Sequence, residues 1–167
     1  LKPPSLDPAI AKARTRAGKQ GWNPAMVASL IDARAVLDFG CYYDDAAAQR
    51  VVNFFEKILC HVDTATGVRG PFKLLPWQEH ELIRPLFGWK RADDTRRYRR
   101  GGIWVAKKNG KSTLAAGLEL YMLVADGEPA AEVYSAANDR KQAGIIHGHA
   151  VEMVELSPRL RERIGPK

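Results

Sequence analysis

The sequence predicts an α/β chain: a helical N-terminal segment over residues 1–70, then residues 71–167 carrying the front of a parallel sheet flanked by helices. Three observations predict it. Apolar residues recur at three- and four-residue steps in the first part, most clearly Val51, Phe54, Phe55, Ile58 and Leu59. Two short runs rich in β-formers, Ile103-Trp104-Val105-Ala106 and Val133-Tyr134-Ser135-Ala136, follow in the second part. Each leads into a helical stretch, and strand, loop, helix, strand, helix is the order of a parallel sheet with right-handed crossovers.

The 167 residues suffice for one domain with a sizeable core. A 46% hydrophobic share with 27% charged residues is ordinary for a soluble globular chain. No apolar run approaches the roughly 18 residues that cross a bilayer, so no membrane partner is expected. Leu1 to Pro8 holds two consecutive prolines and no apolar signal core. No secretory signal is therefore visible, and the first residue not being methionine suggests a processed product or a fragment. Cys41 and Cys60 form no CxxC pattern, which favours a reducing cytoplasm over a disulfide framework or zinc site. His147 and His149, two apart on a helical stretch, point to different faces. The net charge of +7 favours polyanionic partners such as DNA or nucleotide phosphate.

Residues 1–20, rich in Lys, Arg, Pro and Ala, read as a poorly packed arm or a short surface helix. Asn23-Pro24 opens a helix through Met26, Leu30, Ile31 and Ala33 to about Asp38. Asp44 and Asp45 are N-cap and first-turn residues for the next helix, whose apolar stripe is core. Thr64 to Phe72, with Gly67, Gly70 and Pro71, is a turn or linker and the expected boundary between the two parts. Pro76-Trp77-Gln78 starts a second amphipathic helix through Leu82, Ile83 and Leu86. A charged turn then precedes the basic run Arg96-Arg97-Tyr98-Arg99-Arg100, which either meets DNA phosphates or, as a commoner device, protects an edge strand or loop. Helices are expected at Lys111–Ala125, stopped by Asp126-Gly127-Glu128-Pro129, at Asp139–Glu155 and at Ser157–Arg163.

Chemistry concentrates in Val105-Ala106-Lys107-Lys108-Asn109-Gly110-Lys111-Ser112-Thr113, between an apolar strand and an apolar helix, the setting of a phosphate-binding P-loop. Gly110 lets the backbone approach a phosphate with no Cβ in the way. Successive N–H groups at the helix start point at the anion and carry the positive end of the dipole. Lys111 reaches the β- and γ-phosphates of ATP, the Ser112 hydroxyl ligates Mg²⁺, and Thr113 adds a contact to the α-phosphate. A bare Gly-Lys-Ser or Gly-Lys-Thr arises by chance in about one chain in ten of this length, so the flanks must decide. The full pattern wants glycine where Val105 stands, and the plainer alternative is a basic turn joining strand to helix.

Further support comes from three segments in fixed order: Phe72-Lys73-Leu74-Leu75-Pro76-Trp77-Gln78, the loop above, and Val133-Tyr134-Ser135-Ala136-Ala137-Asn138-Asp139-Arg140-Lys141-Gln142-Ala143. Together they resemble the N-terminal ATPase region of phage terminase large subunits, over about residues 40–165. That family has a P-loop lacking the first glycine, which accommodates Val105. The resemblance implies an incomplete P-loop NTPase-type parallel sheet with ATP and Mg²⁺ as cofactors. Its nucleotide-binding set is Gln78, Trp77, Lys108, Asn109, Gly110, Lys111, Ser112 and Thr113, with Lys111 and Lys107 as catalytic residues and Ser112 on the metal. Gln78 matches the family's adenine-contacting glutamine; Trp77 packs near the base or is plain core. Lys107 falls where the family has a basic residue facing the γ-phosphate, but as Lys it lacks the bidentate fork of Arg. Asn138 and Gln142 stand near nucleotide or DNA, with a helix cap at Asn138 or Asp139 as the alternative.

The resemblance also implies double-stranded DNA, a terminase small subunit and a portal protein as partners, self-association, and a place in the host cytoplasm. No apolar run ending in Asp-Glu, the Walker B acids, occurs in the sequence, and no nuclease domain with clustered acids follows. The chain alone is therefore expected to hold nucleotide weakly without turning it over. The alternatives are a helicase-like P-loop ATPase and a basic, non-enzymatic DNA-binding domain.

Overall fold

The computed structural model describes residues 40–63 and 66–164. The arm at residues 1–20 and the helix expected at Met26–Asp38 lie outside them. The chain divides into two compact units, which interleave in sequence: of the described residues, 40–52 and 75–101 belong to one, and 53–74 and 102–164 to the other.

The first unit opens with β1 (Tyr42–Tyr43) and runs into α1 (Asp45–Lys57), whose later residues belong to the second unit. Asp44 caps α1: its Oδ1 accepts the Ala47 N–H at 2.9 Å, as expected for an acid at a helix start. After Pro76 the chain coils again, but not as one regular helix. Gln78–Ile83 forms a wide π-helical turn in which the Arg84 N–H donates to the Glu79 carbonyl, five residues back. It is followed by α2 (Arg84–Gly88). Pro85 has no N–H to continue an i→i−4 ladder, which favours the widened turn just before it. Buried Arg84 is held there by polar partners. Its Nε donates to Glu79 Oε1 at 2.7 Å, Nη2 donates to Gln49 Oε1 at 2.8 Å, and Nη1 lies 3.5 Å from Asp45 Oδ1. Beyond α2, β4 (Trp89–Lys90) pairs antiparallel with β1, Tyr42 opposite Lys90 and Tyr43 opposite Trp89. Val51, Val52, Ile83, Phe87 and Trp89 are buried in this unit.

In the second unit, the end of α1 supplies Phe54 and Phe55, and the turn after it Leu59, to a core that also holds Phe72, Leu114, Leu120, Tyr121 and Met153. Edge-to-face ring pairs tie it together: Phe54–Tyr121 at 5.4 Å and Phe55–Phe72 at 5.1 Å, each worth about 0.5–1.5 kcal/mol beyond burial. The segment expected as a turn or linker holds the turn and return strand of a hairpin. β2 (Cys60–Val62) pairs antiparallel with β3 (Arg69–Pro71), and Asp63 organises the turn by accepting the Thr66 and Gly67 N–H groups. Three helices follow: α3 (Lys111–Val124), α4 (Arg140–Leu156) and α5 (Pro158–Ile164). Asp139 is the cap of α4, its carboxylate accepting the Gln142 N–H at 2.8 Å. Ser157, fully buried between α4 and α5, accepts the Cys60 N–H on Oγ at 2.8 Å and fixes the helix junction to β2.

The parallel sheet expected from the sequence is not seen among the described residues. The described strands form two separate two-stranded antiparallel sheets, within an α/β chain of helices and short strands. Residues 103–106 and 133–136 keep the alternating exposure of a strand, yet neither has a ladder partner among the described residues. A strand is defined by its neighbour, and here the outward faces carry Trp104 and Tyr134, 90% and 82% exposed.

Candidate nucleotide-binding site

The loop that joins residue 106 to α3 is built by the backbone. Lys108 and Gly110 both have positive φ, 66° and 69°, whereas the residues beside them, Lys107 and Asn109, do not. Alternation of this kind turns successive N–H groups toward one side and makes an anion-sized concavity. Gly110 occupies the left-handed region at no steric cost; Lys108 does so at a cost of about 1–3 kcal/mol. Asn109 steadies the loop, its Nδ2 donating to the carbonyls of Ala106 at 3.2 Å and Lys107 at 3.4 Å.

Gly110 is also the N-cap of α3, and no side chain caps the helix there. The first N–H groups of α3 are thus left to an external acceptor, with the positive end of the helix dipole behind them. Lys111 is the first residue of the helix. Its ammonium folds back over the loop and donates to the carbonyls of Val105 at 2.7 Å and Ala106 at 2.8 Å. Lys107, Lys108 and Asn109 are exposed, while Ser112 and Thr113 are half-buried on the first turn. The residues from Lys107 to Thr113 therefore stand together as one polar, cationic loop and helix start.

Gln78 and Trp77 belong to the other unit. Gln78 is buried, and its Oε1 accepts the Leu75 N–H at 2.9 Å, which fixes the plane of the side-chain amide at the start of the π-helical turn. Trp77 is half-buried beside it. Asn138 and Gln142 are exposed around the start of α4. The left-handed conformation at Lys108 and the carbonyls of Val105 and Ala106 as acceptors for Lys111 were not read from the sequence. Lysine carries no left-handed signal, and main-chain acceptors leave no trace in side-chain identity.

A family model described as the terminase large subunit, ATPase domain, matches residues 76–164, just over half of the chain and the whole of the loop and α3. The chain belongs to the terminase large subunit ATPase domain family. It is similar to the terminase large subunit of Enterobacteria phage HK97, with 32% identity over 115 residues. That match covers 68% of this chain and 21% of the relative, so the chain spans about a fifth of that terminase's length. No solved structure matches. Among the described residues of this terminase-family chain, no helix is long and apolar enough to cross a membrane.

Proposed function

We propose that the loop from Val105 to Thr113 is a Walker A cradle for the phosphates of ATP, serving a DNA-packaging motor. The observation that carries this reading is the backbone of Lys107–Gly110: alternating φ beside an uncapped helix start, a donor array suited to a phosphate group. Lys111 contributes its ammonium to the β- and γ-phosphates once it leaves the carbonyls that now hold it. Lys108 and Asn109 shape the cradle, Thr113 lies toward the α-phosphate, and Lys107 offers a point charge to the γ-phosphate without the fork of an arginine. Ser112 is the residue that would ligate Mg²⁺. When bound, Mg²⁺ neutralises the β- and γ-phosphate charge.

Gln78 is the adenine reader in this proposal. Its fixed amide retains a second lone pair on Oε1 and the Nε2 donors, which suit adenine N6 and N7. Trp77 packs near the base. The stretches at residues 103–106 and 133–136 are strands of a parallel P-loop sheet in the complete domain. For the whole protein we propose ATP-driven translocation of double-stranded DNA, cleavage of that DNA, and assembly with a small subunit, a portal protein and copies of itself in the host cytoplasm.

Thermal melting with and without ATP–Mg²⁺ tests the nucleotide reading. A ligand at 100 times its Kd adds about 2.7 kcal/mol, which at about 2–4 °C per kcal/mol is an upward shift of roughly 5–11 °C. Duplex binding without any ATP-dependent shift would instead support a basic DNA-binding domain with a coincidental loop.

A further inference from the structure

The basic run at Arg96–Arg100 is part of a small sheet. After β4 the chain turns at Arg91–Thr95 and returns, so that Arg96 bridges to Lys90 and the Arg97 N–H donates to the Trp89 carbonyl at 2.9 Å. With β1 on the other side of β4, this gives three adjacent extended stretches whose register sorts the side chains. Tyr43, Trp89 and Arg97 share one face. That face turns inward: Trp89 is buried, Tyr43 meets it edge-on at 5.7 Å, and Arg97 lies over the rings of Trp89 and Tyr98.

Tyr42, Lys90 and Arg96 share the opposite face, where Tyr42 is 40% exposed. Two cations directly opposite one another disfavour a sheet by themselves and suit one that meets anions. Arg91 at the turn and Arg99 and Arg100 beyond the return are exposed. The two acids of the turn are engaged in shaping it. Asp93 accepts the Thr95 hydroxyl at 2.7 Å and the Thr95 N–H at 3.0 Å, and Asp94 accepts the Tyr42 hydroxyl. The stretch between Trp89 and Gly101 holds six Lys or Arg residues and two acids. The cations are spread over strand, turn and following loop, a distribution suited to repeated phosphates rather than to one small anion.

We propose that this basic edge, with Lys90, Arg91, Arg99 and Arg100, holds the phosphate backbone of duplex DNA, while Arg96 packs over the Phe87 ring at 5.5 Å. The inference rests on the packaging reading and adds to it the surface that meets the substrate. The test uses the 167-residue chain, a labelled duplex of mixed sequence, and anisotropy titrations over a range of salt. Neutralising Lys90→Gln, Arg99→Gln and Arg100→Gln together is expected to weaken binding at least tenfold at low salt. It should also reduce the slope of log K against log salt by about two to three, because each phosphate contact contributes about 0.9. The Arg99→Gln/Arg100→Gln pair, in an exposed loop, should reduce it by about one to two. A matched triple on α5, Arg159→Gln, Arg161→Gln and Arg163→Gln, removes the same charge and should change the slope far less. Equal losses from the two triples would assign the effect to net charge and overturn the proposal, as would unchanged binding by the first triple. A wild-type chain that ignores duplex DNA would remove the DNA reading itself, while ATP-dependent melting reports on the nucleotide reading separately.

Discussion

The ammonium of Lys111 lies 2.7 Å from the carbonyl oxygen of Val105, a residue of the apolar run that leads into the loop. One side chain thereby bridges the two ends of the Lys107–Gly110 turn, and a charge-assisted bond of this kind is about twice as strong as a neutral one. The turn is held closed on itself by its own cation. In the proposed cradle, an incoming phosphate would offer that cation a better acceptor and take up the amides left uncapped at the start of α3.

The backbone signs of this turn have a measurable cost. Gly110→Ala places a Cβ at φ 69° and should destabilise the chain by about 1–2 kcal/mol, lowering its melting temperature by about 2–8 °C. Lys108→Gly removes strain at φ 66° and should hold or raise the melting temperature. A higher melting temperature for the alanine variant would mean that the turn is not left-handed at Gly110.

Two glycines in helices should respond oppositely to alanine. A Cβ at Gly117 in α3 would stand 2.4 Å from Phe55 Cε1 and 2.8 Å from its Cζ, and Phe55 is fully buried. Overpacking of about 1–3 kcal/mol matches or exceeds the helix gain of about 1 kcal/mol, so Gly117→Ala should lose up to about 2 kcal/mol in urea unfolding. Gly144 in α4 has nothing within 4 Å of such a Cβ, and Gly144→Ala should gain about 0.5–1 kcal/mol. Equal effects at the two sites would contradict the packing of α3 on Phe55.

Much of this architecture was legible in the sequence, because it depends on local chemistry. Asp44 and Asp139 announce helix starts by side chains that reach their own N–H groups, and both do so. The stripe from Val51 to Leu59 follows from helical spacing, with Ile58 half-buried at its margin. Less legible was anything set by pairing. Cys60–Val62 and Arg69–Pro71 are too short to show a period, and their strand character comes from facing each other. The runs at 103–106 and 133–136 have strand composition, but composition supplies no neighbour to bond. Lys90 joins Arg96 only through the turn between them. In the loop, residue types pointed to phosphate chemistry, whereas the acceptors holding Lys111 are main-chain atoms.

Ser157 illustrates a long-range tie of a small side chain. Ser157→Ala removes the acceptor of the Cys60 N–H from a buried site and should cost about 1–3 kcal/mol. Amide exchange at Cys60 should accelerate more than the change in global stability alone explains. Unchanged exchange there would show that the bond is not made in solution.

Acid sensitivity should trace in part to His61. Burial holds its imidazole below the ordinary value of 6.5, against opposing pulls from Asp63 and Glu152, and its ring stacks on Phe72 at 4.6 Å. Between the folded value and 6.5 the unfolded chain binds more protons, so stability rises with pH across that window and is lost as pH falls through it. His80, lowered chiefly by burial, contributes with the same sign. His61→Phe keeps the ring and removes the titration, so its unfolding free energy should fall less steeply below pH 6.5, by up to about one proton in the linkage slope. Parallel pH profiles for both proteins would refute this role.

The most direct test is a calorimetric titration of ATP–Mg²⁺ into the wild-type chain and into Lys111→Ala. Saturable one-site binding by the wild type, weakened at least tenfold in a variant that melts as a folded protein, is the result expected of a phosphate cradle. Equal affinity in the two proteins, or no heat of binding in either, would contradict it.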